Sequence, residues 1–297
     1  MECLCVVLME NVSLTIFTGK SRNWVMHPKV HSSRFLLPVF TVLLFISGCG
    51  TLENGRGWGQ DAFYPIDFDR ITRAGRNALF NSRTLVPLAG AAVFAVDDFD
   101  QRVSDWAVDH KPIFGSSNNA REIRNKIKDI LEIEVLVTAL ATPSGDDPKL
   151  WLYSKLKGLG VEVAAVRATG SVTNLLKDAT NRRRPNGVNK ESFPSGCTSF
   201  AFSHMTLANR NLDSIGYLEN ITPALKAGNT FLAMGVGWAR VEEQGHYPSD
   251  VLVGAALGNF LASFIHDAFL NLPEDGSVDL AAFGIKGGAG VQMFFRF

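Results

Sequence analysis

The sequence predicts an all-α protein, a helical bundle that ends in a short β-hairpin. Three observations lead there. Apolar residues recur at helical spacing through several segments between residues 71 and 271. Small residues gather in the last two of these (Ala227, Gly228, Gly235 and Gly237, then Gly254, Ala255, Ala256 and Gly258), which permits close helix–helix approach. The final stretch instead alternates, with Val278 to Ile285, a Lys286-Gly287-Gly288 turn, and then Val291, Met293, Phe295 and Phe297 at every second position. A hydrophobic content of 46% in 297 residues supports a folded core. Lys plus Arg (29) equals Asp plus Glu (29), so no global field favours a polyanion, and nucleic acid is not an expected partner.

Taken in order, residues 1–48 read as an over-extended N-terminus followed by an export signal. Lys29 and Arg34 form its basic region, and Phe35 to Ile46 is too short to remain as a spanning helix. Met26 fits the true start. The run Ile46-Ser47-Gly48-Cys49 resembles a bacterial lipobox, which makes Cys49 the expected site of lipidation and a membrane surface an expected partner through that anchor. Gly50 after the cysteine resembles the outer-membrane sorting class, so the expected location is the periplasm-facing side of the cell envelope. Of four cysteines, only Cys197 then stays a free thiol, and no pair has zinc-ligand spacing.

Residues 49–110 read as a tether and N-terminal helical region. The tether is rich in Gly, Asn and aromatics; residues 71–96 form one helix, and Asp97-Asp98-Phe99-Asp100 a solvated loop or helix start. Residues 111–272 form the helical core. Ser116 to Asn119 looks like a helix start, Ile123 to Ala141 has helical spacing, and 142–148 is a loop. Leu150 to Thr180 is a long helix or a pair broken at Gly158 and Gly160. Three helices follow, Cys197 to Asn211, Thr222 to Ala239 and Ser249 to Asn271. Lys226, Asn229 and Asn259 interrupt their apolar runs, which favours a soluble or peripheral bundle over a polytopic membrane protein. Residues 273–297 are the hairpin tail.

The chemistry is concentrated between Lys177 and Asp250. Lys177 closes a helix, and Arg184 precedes Pro185, which holds it in an extended turn. Lysine supplies a point charge and arginine a planar fork for phosphate oxygens. Pro194-Ser195-Gly196 turns the chain into a helix N-terminus, whose free N–H groups favour an anion. Arg240 adds a second guanidinium. His246 is the nucleophile candidate, with Asp250 four residues on and placed to bond one imidazole nitrogen. Taken alone, Arg182 to Arg184 would be an ordinary solvated basic run, and His246 a surface or core histidine.

Lys177-x6-Arg184-Pro185, Pro194-Ser195-Gly196 and Arg240-x5-His246-x3-Asp250 together resemble the type 2 phosphatidic acid phosphatase superfamily of acid phosphatases, lipid phosphatases and vanadium haloperoxidases. The resemblance spans roughly 120–270. It implies an all-helical core of the acid phosphatase/haloperoxidase type and a metal-independent hydrolysis through a phosphohistidine, with no cofactor. By it, Lys177, Arg184, Ser195, Gly196 and Arg240 bind phosphate, His246 attacks and Asp250 orients it. The implied substrate is a phosphorylated lipid or small phosphate ester.

Two positions depart from the pattern. Ala239 replaces a serine, with the loss of one hydroxyl. Cys197 stands where the family has the histidine that protonates the leaving group, and a thiol matches that role poorly. A missing general acid costs about 10²–10⁴ in rate. His204 lies two turns along, about 10 Å of rise, too far to replace it. A phosphate leaving group, with a second pKa of about 6, needs the proton less than an alcohol does, so the sequence favours diphosphates over monoesters. The other reading is a catalytically weakened, phosphate- or lipid-binding envelope lipoprotein.

Overall fold

The computed structural model describes residues 48, 50–63 and 68–270, and the backbones of 278–285 and 288–295. The export signal, Cys49 and the Lys286-Gly287 part of the turn lie outside the described residues.

Eight α-helices carry the described fold: α1 (Phe68–Phe80), α2 (Ser82–Phe94), α3 (Phe99–His110), α4 (Ser117–Ala141), α5 (Pro148–Thr180), α6 (Gly196–Asp213), α7 (Thr222–Glu242) and α8 (Pro248–Leu270). The all-α reading holds for this region. Two backbone strands, β1 (Val278–Ile285) and β2 (Gly288–Phe295), run antiparallel with Val278 opposite Phe295. The helices alone carry the fold assignment.

Local chemistry explains most helix ends. Ser116 caps α4 by accepting from the Asn119 N–H, and Asp147 caps α5 by accepting from the N–H groups of Lys149 and Leu150. The expected single helix over 71–96 is two helices, α1 and α2. Asn181 and Asn81 both end helical runs; at Asn81 the backbone is extended and the side chain accepts from the Arg83 N–H, so a cap competes with helix continuation.

Of the two readings of the α5 stretch, a long helix or a pair broken at Gly158 and Gly160, the long helix is observed. Its 33 residues run through Gly158, because Gly158 serves packing: a Cβ there would lie 2.1 Å from the Trp58 ring. The expected tether is corrected. Trp58 is fully buried, its N–H donates to the Pro143 carbonyl, and it joins Ala62, Ala139, Val161 and Leu270 in one core cluster. Lys155 completes this corner. Its Nζ donates to the Ala139 carbonyl (2.7 Å) and to Thr142 at the C-terminus of α4, and it lies 5.2 Å from the Trp58 ring centroid. A segment without periodicity is therefore anchored by one large aromatic.

Helix α8 is the axis of the bundle, packed against α6, α2, α5 and α1. Small residues make this possible: a Cβ on Gly258 would lie 2.3 Å from the Ser199 carbonyl oxygen of α6. Pro248–Leu270 is long and apolar enough to cross a membrane, and half of its apolar window is buried inside the bundle. A second cluster, Leu131, Phe202, Met205, Val236 and Ala255, joins α4, α6, α7 and α8, with Cys197 packed against its edge.

Replacing Trp58 with alanine should lower the unfolding free energy by about 3–5 kcal/mol, as for other buried aromatics. Urea titration against wild type measures it, and a loss below 1 kcal/mol would return residues 50–63 to the role of a tether.

Candidate active site

The three polar runs of the sequence meet at one end of the bundle, where α5 ends, α6 begins and α7 turns into α8. The turn brings Arg240 and His246 together. Beyond α7, Gln244 takes a left-handed conformation (φ 56), and the N–H groups of Gly245 and His246 fold back onto the Arg240 carbonyl at 3.0 and 3.2 Å. Gly245 lies against Arg240: a Cβ there would lie 2.3 Å from its Nη2, so the guanidinium would have to shift.

His246 is buried, and its Nδ1 lies 2.5 Å from the Ser192 carbonyl oxygen. A carbonyl only accepts, so Nδ1 carries the proton and Nε2 holds the lone pair. Burial first, then the charges of Arg240, Arg184 and Lys177, hold the imidazole well below its ordinary pKa. The ring is neutral, in the tautomer that leaves Nε2 nucleophilic.

The expected direct bond from Asp250 to His246 is corrected. The nearest approach is 3.9 Å, because the carboxylate is already occupied. Its Oδ2 accepts from Ser192 Oγ (2.5 Å) and the Tyr247 N–H (2.9 Å), and its Oδ1 from Arg182 (2.6 Å). Asp250 therefore positions the histidine through Ser192, whose side chain it binds while the Ser192 carbonyl holds the ring. Its main-chain carbonyl also accepts from the Ser195 N–H at 2.9 Å, tying the same residue to the turn that starts α6.

Two members of this arrangement read differently in the sequence. Arg182 is not a solvated cation: it bridges Asp250 and Asp100, with 2.7 Å to the latter. Asp100 lies in the first turn of α3, the helix-start reading of its run, but it is not solvated. It is buried and accepts from both the Ser249 N–H (2.9 Å) and the Ser249 hydroxyl. Neither has a spacing signal, since α3 and the 181–195 loop meet only in the fold.

Lys177, Arg184 and Arg240 form the cationic side. Burial lowers the pKa of Lys177, with Arg184 adding to it, and burial with Arg240 does the same to Arg184, so the three repel one another across a shared space. The Nε atoms of Arg184 and Arg240 are buried with no hydrogen-bond partner among the described residues. Gly196 sits against this cluster, 3.4 Å from its built Cβ to Lys177 Nζ. Ser195 is buried, and its Oγ accepts from Thr198 (2.9 Å), which leaves its own proton to donate.

Cys197 occupies the first turn of α6 beside these cations. Nη1 of Arg124, from α4, lies 3.8 Å from its sulfur and 3.2 Å from Glu243 Oε2, which also takes Arg240 at 2.7 Å. Arg124 and Glu243 went unread in the sequence; Glu243 lies inside the Arg240–His246 run but carries no motif, and Arg124 is far from any. His204 does not stand in for the missing histidine. Its Nδ1 lies 2.8 Å from the Phe200 carbonyl, its ring packs on Phe200, and burial takes its pKa down to about 4.

Residues 159–273 match the family model of the PAP2 superfamily. Over that stretch the chain resembles the PAP2 superfamily. It is similar to a probable lipid phosphate phosphatase 4 of Arabidopsis thaliana, 29% identical over 158 residues, covering 42% of this chain and 50% of that protein. It is also similar to the lipid A 1-phosphatase of Porphyromonas gingivalis, 30% identical over 153 residues, covering 49% of this chain and 33% of that protein. The chain thus spans half or less of the length of these curated relatives. Among solved structures, a transmembrane PAP2-type phosphatidylglycerolphosphate phosphatase from Bacillus subtilis aligns with a TM-score of 0.49 at 22% identity, over 62% of this chain and 92% of that one. The PAP2 match begins within α5, so Asp100 and Arg124 enter the site from outside it.

Gly245→Ala should displace the Arg240 guanidinium and weaken binding of inorganic phosphate or vanadate by about tenfold, the scale of one charge-assisted hydrogen bond. Isothermal calorimetry against wild type reads it, and unchanged affinity would remove Arg240 from the cradle.

The buried histidines set an acid limit. For His204, the unfolded chain takes up a proton near pH 6.5 whereas the folded ring does so only near 4, so stability is lost as pH falls from 6.5 toward 4. The unfolding free energy of His204→Gln relative to wild type should therefore rise across that window and stay level above it. A difference that does not vary with pH would contradict the assignment.

Proposed function

We propose that the protein is a phosphoric-ester or diphosphate hydrolase that works through a phosphohistidine on His246. Its substrates in this reading are lipid or isoprenoid phosphates at the envelope membrane, to which Cys49 tethers the chain with the site facing the periplasm and the outer membrane as its address. The observation that carries the reading is the neutral His246, with Nδ1–H committed to the Ser192 carbonyl beside three gathered cations. The names of the two curated relatives, both lipid phosphatases, support the substrate class. The alternating tail, as a hairpin against the bundle or the membrane surface, belongs to the same proposal.

In this mechanism Lys177, Arg184 and Arg240 hold the three phosphoryl oxygens, together with the N–H groups at the start of α6. Nε2 of His246 attacks phosphorus while the P–O bond to the leaving group breaks, its electron pair staying on that oxygen. The ring becomes cationic as the N–P bond forms, and its Nδ1 keeps its proton, donated to the Ser192 carbonyl, which Asp250 steadies through the Ser192 side chain. Water then attacks the phosphohistidine, the electron pair of the N–P bond returns to Nε2, and the water's proton leaves with the phosphate or to solvent. Cys197 leaves the first step without the usual proton donor, which supports the second reading, a phosphate- or lipid-binding lipoprotein with little turnover.

Release of inorganic phosphate from a panel of lipid and isoprenoid mono- and diphosphates, with acid-labile phosphoenzyme trapping, separates the two. Turnover and trapping that disappear in His246→Ala establish the hydrolase; binding without a trapped phosphoenzyme establishes the binder. Restoring the donor with Cys197→His should raise the rate on a monoester by about 10²–10⁴ and change the diphosphate rate far less. An equal gain on both would sink the preference for diphosphates.

A further inference from the structure

Resting on the hydrolase reading, we infer that Arg124 is a specificity-determining residue that holds the second phosphate of a diphosphate substrate as it departs past Cys197.

Position comes first. By the family resemblance, residue 197 borders the leaving group. Arg124 Nη1 is the group that the described structure brings to the Cys197 sulfur, at 3.8 Å. Arg124 is buried and aimed by its other contacts, Nη1 to Glu243 Oε2 at 3.2 Å and Nη2 to Asn125 Oδ1 at 3.1 Å. Its Nε is buried with no hydrogen-bond partner among the described residues, as are the Nε atoms of Arg184 and Arg240. Glu243 Oε2 joins the two halves, taking Arg240 of the phosphoryl cradle at 2.7 Å and Arg124 of the leaving-group side.

Charge is the second observation. Four cations gather here, Lys177, Arg184, Arg240 and Arg124; buried Glu243 pairs with Arg240 and Arg124 and also lies 3.9 Å from exposed Arg121, exposed Glu191 approaches Arg184 only to 3.7 Å, and Arg184 also feels buried Asp250. Arg182 is outside this balance, being matched by Asp100 and Asp250. A monoester phosphate brings a charge of about −1.5 to −2, which leaves a surplus that a second phosphate would meet. The surplus sits at Cys197, where the second phosphate of a diphosphate must lie when the first is in the cradle.

The chemistry balances without a proton donor. Nε2 of His246 forms a bond to the terminal phosphorus, and the bond from that phosphorus to the bridging oxygen breaks. Its electron pair stays on the bridging oxygen, which leaves as part of a phosphate monoester. A guanidinium stabilises that charge electrostatically, so Arg124 does by charge what the absent histidine does by protonation. An alcohol leaving group gains little from it, because an alkoxide needs a proton.

The test compares kcat and KM for an isoprenoid diphosphate and the matching monophosphate in wild type, Arg124→Gln and Arg124→Lys, with phosphoenzyme trapped from each. Arg124→Gln should lower kcat/KM on the diphosphate by about 10- to 100-fold and on the monophosphate by less than about threefold, while Arg124→Lys recovers part of the loss. Should the Gln variant fail to fold, the Lys variant still decides: the diphosphate-to-monophosphate ratio must fall severalfold against wild type. Equal losses on both substrates, or an unchanged ratio in Arg124→Lys, overturn the inference while leaving the hydrolase reading intact. Wild type that traps no phosphoenzyme from either substrate overturns both.

Discussion

The site depends on one buried carboxylate. Asp250 is fully buried, and burial pushes its pKa up while Arg182 opposes the shift. Its oxygens take Arg182, Ser192 and the Tyr247 N–H, and its carbonyl takes the Ser195 N–H. Those four contacts secure the histidine's partner, the turn into α6 and the start of α8 at once. Removing one member of a buried charge pair costs about 3–5 kcal/mol, so the arrangement is rigid as well as polar. A histidine whose Nδ1–H is held by a backbone carbonyl keeps one tautomer as long as the ring is neutral.

The bundle serves this point. Helix α8 runs down the axis and presents its first turn, with Ser249 and Asp250, to the site. The close approach of α6 at Gly258 sets how near the Ser195–Cys197 turn comes to it. Away from the site, Trp58 and Lys155 close the far corner where α4 ends and α5 runs past. The same small-residue packing that lets helices approach also concentrates four cations in a small volume, and Glu243, just past the end of α7, pairs with two of them.

In the proposed reaction, a thiol in place of a proton donor changes the demand on the leaving group rather than on the gathered cations. Those cations lie together, and His246 is neutral. At Cys197 a sulfur packs against the core edge and a guanidinium lies beside it. In that reading local charge, not the chain's neutral balance, sets which leaving group is accepted there.

Much of the helical pattern was legible. The 3.6-residue period, the Ser116 cap and the small-residue runs are local properties, and they located α4 through α8 to within a few residues or, at worst, about one turn. The motif residues Lys177, Arg184, Ser195, Gly196, Arg240, His246 and Asp250 were legible too, because their chemistry requires them at short spacing along one stretch. Illegible were the contacts that cross the bundle. Trp58 lies in an aperiodic segment and is buried because α5 offers Gly158 beneath it. Asp100, Arg182 and Arg124 look like solvent charges in their own neighbourhoods; distant helices bury Asp100 and Arg124 and pair the half-buried Arg182. Sequence alone determined which groups could hold and attack a phosphate, since residue type and spacing are local. Tertiary structure decided how they are held, Nδ1 by Ser192 rather than Asp250 and Cys197 beside Arg124, since a hydrogen bond or ion pair across the fold depends on distance in space.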